Sequence, residues 1–177
     1  GDIMNFEMAA EMMTGPSETV LTNDDVAVED SSFTTGRRGV AATVIVEKIV
    51  GSLAESGGSL QECKNLGDKI NKNSGSMGVA LSSCIVPAAG KPTFELGADE
   101  MEFGVGIHGE PGRRRDKIKS AQEITNELLN AIIEDLKPEN KDEILLFVNG
   151  MGGTPLSELY LIYDNAKKTL DNKNIKI

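Results

Sequence analysis

The chain has 177 residues, room for one sizeable domain or two small ones, and 39% hydrophobic content, enough for a packed core. Aromatics are scarce at 4% and tryptophan is absent, so that core must come mainly from Val, Ile, Leu, Met and Ala. Eighteen basic residues against twenty-eight acidic ones leave a formal charge of −10, which argues against nucleic acid or an anionic membrane as partner.

No stretch approaches the roughly 18 apolar residues of a membrane span, and no signal peptide is visible. Cys63 and Cys84 form no regular framework. They read as reduced thiols acting as small buried hydrophobes, as expected of a cytoplasmic protein. The chain starts at Gly1-Asp2 without an initiator Met and ends on Asn174-Ile175-Lys176-Ile177, which looks like an opening strand; it reads as a piece of a longer polypeptide.

In chain order, residues 4–13 are good helix formers, and Asp2 is a reasonable cap for them. Thr14-Gly15-Pro16-Ser17 breaks that helix, and 18–22 resumes as a short strand. The acidic run Asn23-Asp24-Asp25-Val26-Ala27-Val28-Glu29-Asp30 invites a divalent cation, but its spacing matches no calcium loop; a solvated acidic loop is the expectation, with no metal site. Thr35-Gly36-Arg37-Arg38-Gly39 is open to two readings, a phosphate contact or a turn before the next helix. That helix covers 40–55, with apolar residues spread around it. Ser59 and Glu62 have capping-box spacing and start a further helix to about residue 70. The polar stretch 71–75 is the expected domain boundary.

Residues 76–86 read as an apolar strand, Pro87-Ala88-Ala89-Gly90-Lys91-Pro92 as a turn, and 93–96 as extended chain. The alternation Met101-Glu102-Phe103-Gly104-Val105-Gly106-Ile107 is a strand that delivers His108 into Gly109-Glu110-Pro111-Gly112. The short links make these strands antiparallel. Spacing alone leaves the one histidine either a loop imidazole without chemistry or a side chain presented to a small molecule. Arg113-Arg114-Arg115 is either a solvated loop or a cation set that meets phosphate near His108.

An amphipathic helix over 121–136, with Ile124, Leu128, Leu129, Ile132 and Ile133 on one side, stops before Pro138. The apolar run 143–149 is consistent with a central strand. Gly150-Met151-Gly152-Gly153-Thr154-Pro155 then forms a weak anion-site pattern, with Thr154 as cap and Pro155 at the first helical position. The closing helix, 156–170, should bury Leu159, Leu161, Ile162 and Ala166.

Several of these stretches together resemble a known family. Gly1-Asp2-Ile3-Met4-Asn5-Phe6, Asn23-Asp24-Asp25-Val26-Ala27-Val28, Gly36-Arg37-Arg38-Gly39-Val40, Pro87-Ala88-Ala89-Gly90-Lys91-Pro92, Glu100-Met101-Glu102-Phe103-Gly104-Val105-Gly106-Ile107-His108-Gly109-Glu110-Pro111-Gly112 and Thr154-Pro155-Leu156-Ser157-Glu158-Leu159-Tyr160 are similar to the dihydroxyacetone-binding subunit of dihydroxyacetone kinases, in order and through essentially the whole chain. The resemblance implies an α/β fold of two domains: residues 1–75 as the C-terminal half of the first, and 76–177 as a second, mixed α/β domain with antiparallel strands. It implies a homodimer that binds dihydroxyacetone covalently, as a hemiaminal on His108, with Asp2 as the base for the hydroxyl that takes the phosphoryl group. No cofactor is expected on this chain. The donor is ATP on another domain, or ADP on a partner subunit recharged through the phosphoenolpyruvate phosphotransferase system. No helical nucleotide-binding domain is evident in the sequence, which favours the bacterial two-subunit form.

The sequence also departs from the family pattern. The upstream half-domain with its second histidine and the strands expected beyond Ile177 are not in these residues, and Thr14 to Ser17 is shorter than usual. The 177 residues alone are expected to be inactive. A second function compatible with His108 is a dihydroxyacetone-sensing coactivator of a transcription factor, which has no need of Asp2 as a base.

Overall fold

A computed structural model describes residues 2–28, 36–85, 87–110, 112–139 and 142–177. These divide into two units, Gly1–Asp24 with Gly39–Ser74, and Asp25–Arg38 with Gly75–Ile177. The second unit therefore draws on residues 25–38, inside the stretch that the sequence assigns to the first.

In the first unit, helix α1 (Asp2–Glu11) buries none of its residues; Met4, Phe6 and Met8 are exposed. Helices α2 (Ala42–Glu55) and α3 (Leu60–Lys72) pack on each other. The α3 capping box is formed: Ser59 Oγ accepts from the Glu62 amide, and the Glu62 carboxylate accepts from the Ser59 amide. Its buried residues are Cys63 and Gly67, and Val20 lies where a side chain on Gly67 would stand.

The strand expected over 18–22 does not form. Asn71 takes the place of a neighbouring strand, accepting from the Asn23 amide at 2.9 Å and donating to the Leu21 carbonyl at 3.0 Å. A side chain thus satisfies backbone groups that a ladder would otherwise have paired.

The second unit holds a three-stranded antiparallel sheet, ordered β1 (Val79–Ala80), β2 (Glu100–Phe103), β3 (Arg114–Lys117). Registers pair Val79 with Phe103 and Met101 with Asp116. The strand expected over 76–86 shrinks to two residues, flanked by single bridges at Ser76 and Ile85. Helix α4 (Ala121–Leu136) buries Ile124 against Met101 and Phe103 of β2. It starts at a second capping box, Ser120 with Glu123, and ends at Lys137 in the left-handed conformation.

Helix α5 (Leu156–Asn172) packs on α4 around Leu129, Ala166, Leu170 and Ile175. Its buried face is displaced from the expected one: Asn165, Ala166 and Leu170 are covered, whereas Leu161 is exposed. Residues 143–149 are not a central strand. One parallel bridge, Glu143 to Lys176, ties them to the chain end, with Ile144 donating to the Lys176 carbonyl at 2.9 Å. Ile144 and Leu146 lean on the core while Leu145 is 70% exposed, the pattern of an extended segment covered on one face.

Among the described residues no helix is long and apolar enough to cross a membrane. Both cysteines are free thiols. Cys63 is buried as expected, but Cys84 is exposed.

Candidate functional site

His108 stands just beyond the buried end of β2. Met101 is fully buried (0% exposed), and Phe103 lies under the Arg114 guanidinium, 4.8 Å from its ring centroid. The strand stops four residues short of Ile107 because Gly104 turns it: its φ is +77°, and a Cβ there would approach that of Ala27 to 2.8 Å. The Gly104 amide donates to the Gly78 carbonyl at 2.7 Å, and the Arg113 amide to the Phe103 carbonyl at 2.7 Å, so both margins of the loop are pinned to the sheet.

Between these margins the chain closes on itself. The Gly106 amide donates to the Glu110 carbonyl (3.2 Å) and the Gly109 amide to the Gly106 carbonyl (3.1 Å). His108 sits at the turn with its side chain 65% exposed. Its amide donates to Glu110 Oε2 at 3.0 Å, and its Nδ1 lies 3.6 Å from Glu110 Oε1. Gly109, at φ +78°, leaves room for Cys84 Sγ and the Thr93 side chain, either of which a Cβ would overlap. Pro111 of the same motif lies outside the described residues, as do Glu29, Asp30 and Thr35 of the earlier ones.

Asp2, the other residue assigned chemistry from the sequence, belongs to the first unit. It is exposed in the first turn of α1, where a carboxylate complements the helix dipole.

Within its described residues the acidic run is not a solvated loop. Asp24 and Asp25 are 1% and 2% exposed, and each has a structural partner set. Within the first unit Asp24 accepts from the amides of Val40 (2.8 Å) and Ala42 (3.3 Å), capping the approach to α2 from a distance in sequence. Within the second, Asp25 accepts from the Ala27 amide (2.9 Å) and from Arg38 Nε (2.7 Å). Arg38 also donates to the Gly104 carbonyl at 2.7 Å, tying that ion pair to the turn that begins the histidine loop. Arg37 grips Asp135 with both terminal guanidinium nitrogens and donates from Nε to the Val28 carbonyl. This hydrogen bonding holds the Asp135 carboxyl below the usual carboxylate range, against the opposing effect of burial. Both arginines therefore serve as struts, and the phosphate reading of this motif gains nothing. Among the described residues no cluster of three or more His, Cys, Asp or Glu is arranged to hold a metal ion.

Arg114 and Arg115 of the basic run lie on β3, an edge strand of the sheet, and both are paired with carboxylates. Arg114 pairs with Glu127, and Arg115 with the buried Glu102 at 3.0 Å. Lys119 bridges Asp116 and Glu127, which raises its own pKa and lowers theirs. Glu102 also accepts from the Gly112 amide at 2.7 Å, closing the far side of the loop. In the weak anion pattern at Gly150 to Pro155 three amides are already engaged within the turn. Met151 donates to Asn149 Oδ1, while Gly153 and Thr154 donate to the Gly150 carbonyl. Pro155 rather than Thr154 occupies the cap position of α5, and no side chain caps that helix.

The sequence assigns no role to Glu110 or Glu102, and it does not pair Arg38 with Asp25. Glu110 was within reach, being two residues from the histidine. Arg38 and Asp25 were not, since nothing in their spacing announces the Gly104 carbonyl.

The Dak1 domain family matches this chain over residues 1–177. The dihydroxyacetone-binding subunit DhaK of PTS-dependent dihydroxyacetone kinase 1 from Listeria innocua is 48% identical over 180 residues, covering all of this chain and 55% of that protein. Of solved structures, the dihydroxyacetone kinase operon co-activator DhaQ matches with a TM-score of 0.84 at 32% identity, covering 99% of this chain and 54% of that one. The native dihydroxyacetone kinase of C. freundii matches with a TM-score of 0.81 at 29% identity, covering 99% of this chain and 32% of that one. The chain spans about half the length of the curated DhaK relatives it matches. The chain belongs to the Dak1 domain family and has the mixed α/β fold, with antiparallel strands, of its solved members.

Proposed function

We propose that this chain is the substrate-binding part of a dihydroxyacetone kinase, in which His108 holds dihydroxyacetone as a hemiaminal while the substrate receives a phosphoryl group. The observation that carries this reading is an exposed imidazole on a short loop pinned at one margin to Gly78 beside β1 and at the other to Phe103 of β2. A three-carbon ketose is too small and too soluble to be held well by ordinary contacts. A reversible N–C bond to a neutral imidazole supplies the missing affinity and selects a carbonyl compound over a polyol such as glycerol.

Asp2 is assigned as the base that takes the proton from the attacking hydroxyl. Phosphoryl transfer depends mainly on positioning and charge neutralisation, so a carboxylate within reach of that hydroxyl suffices. The donor belongs to a nucleotide-bearing partner subunit or domain, either ATP or ADP recharged through the phosphotransferase system. The 48% identity to a PTS-dependent subunit supports the second. A homodimer working in the cytoplasm completes the reading.

Intact-mass measurement of the full-length protein incubated with dihydroxyacetone should show a labile adduct that His108→Ala abolishes. A His108→Ala protein that binds the ketose equally well would remove the covalent mechanism. Asp2→Ala should keep the adduct and lose phosphoryl transfer by a factor of about 10² or more.

The likeness to the DhaQ co-activator favours a second reading, a ketose sensor that never transfers phosphate. Full-length protein that forms the adduct yet yields no dihydroxyacetone phosphate, with partner and nucleotide supplied, would select it.

A further inference from the structure

We infer that Glu110 is a positioning residue for His108: it holds the imidazole with its proton on Nδ1, so that Nε2 carries the free lone pair and faces the substrate. This deepens, and rests on, the assignment of His108 as the carbonyl-binding residue. Three observations support it. The carboxylate is anchored, because Oε2 accepts from the His108 amide at 3.0 Å, which turns Oε1 toward the ring at 3.6 Å from Nδ1. The anchoring requires a glycine: a Cβ on Gly106 would overlap Glu110 Oε2 and come within 2.9 Å of Arg38 Nη1. Finally, Arg38 is fixed by Asp25 and the Gly104 carbonyl, so a held cation shares the Gly106 face with the carboxylate.

An exposed imidazole exchanges freely between two tautomers, and only the one with an unprotonated nitrogen toward the ketose is nucleophilic there. A carboxylate beside Nδ1 selects that form. The 3.6 Å separation exceeds a hydrogen bond, but a small rotation of the exposed ring closes it, and such contacts commonly tighten when substrate binds.

The step balances as an addition of N–H across C=O. The Nε2 lone pair forms the N–C bond, and the carbonyl π pair moves to oxygen, which takes a proton from water. The Nδ1 proton leaves through Glu110 to water. No net proton, oxidant or reductant is consumed.

The test uses full-length protein carrying nitrogen-15 histidine, with the His108 ring signals assigned by their loss in His108→Ala. In the unsubstituted protein these shifts should report mainly the Nδ1–H tautomer. Glu110→Ala should move them toward the Nε2–H form that free imidazole prefers, and cut the adduct formed at a fixed ketose concentration by roughly tenfold. Glu110→Gln, whose amide oxygen still accepts from Nδ1–H, should recover part of both. Gly106→Ala, which leaves Glu110 in the sequence but pushes its carboxylate aside, should mimic Glu110→Ala.

Unchanged tautomer signals in Glu110→Ala and Gly106→Ala would overturn the inference. The tautomer reading needs no ketose, so it judges Glu110 even if unsubstituted protein forms no adduct, an outcome that would instead sink the assignment of His108.

Discussion

Strand β2 and the loop that follows it are adjacent in sequence and opposite in construction. In β2, Met101 and Phe103 are buried, and even Glu102 is shut in with its oxygens given to the Gly112 amide and Arg115. Five residues after Phe103 the His108 side chain is mostly in solvent, and its loop is held by backbone hydrogen bonds and glycines rather than by packing. The difference separates two duties: the strand and its neighbours supply stability, and the loop presents one reactive group from a stiff base.

If the division is real, substitutions in the platform should cost stability, while substitution of the histidine should cost almost none. Met101→Ala removes a fully buried side chain between β1 and α4 and should lower unfolding stability by about 2–5 kcal/mol, measured by urea denaturation. A loss under about 1 kcal/mol would mean that β2 is not the base of the loop. Glu102→Ala strips a buried acceptor from the Gly112 amide and the Arg115 guanidinium and should cost about 1.5–3 kcal/mol. It tests whether the loop's far margin is held by this carboxylate. Next comes Ser120→Ala, which opens the α4 capping box behind β2 and should cost about 1 kcal/mol.

A smaller effect depends on pH. Asp135 is depressed in the folded protein by Arg37, so its contribution is fully present above the unfolded value of about 3.9 and fades as pH falls through the lower folded value. Arg37→Ala should therefore lose about 0.2–1 kcal/mol near neutrality, with the gap to the unsubstituted protein closing in acid. A gap that widened below pH 4 would reverse the assigned sign. Smallest of all, His108→Ala should change stability by no more than about 0.5 kcal/mol while abolishing the adduct, and a larger loss would make the imidazole part of the platform.

The parts of the fold legible beforehand were those written in local chemistry. The helix over 121–136 could be read from its apolar stripe and Pro138, and the α3 start from Ser59 and Glu62, because periodicity and capping act within a few residues. The strands were misjudged in length. A strand exists only where a partner stands beside it, and neither 18–22 nor 143–149 finds a ladder among the described residues, apolar as they are. The acidic and basic runs misled for a related reason. Charge in a sequence looks solvated until the structure shows Asp25 opposite Arg38, or Arg115 opposite Glu102.

By itself, then, the sequence determined which family this is and which imidazole stands out, since both reside in uninterrupted motifs and in a histidine with no rival. Tertiary structure alone decided what surrounds that imidazole. Arg38, held by Asp25, acts on the loop through the Gly104 carbonyl, 66 residues along the chain, and hydrogen bonds between distant residues leave no period or spacing to read.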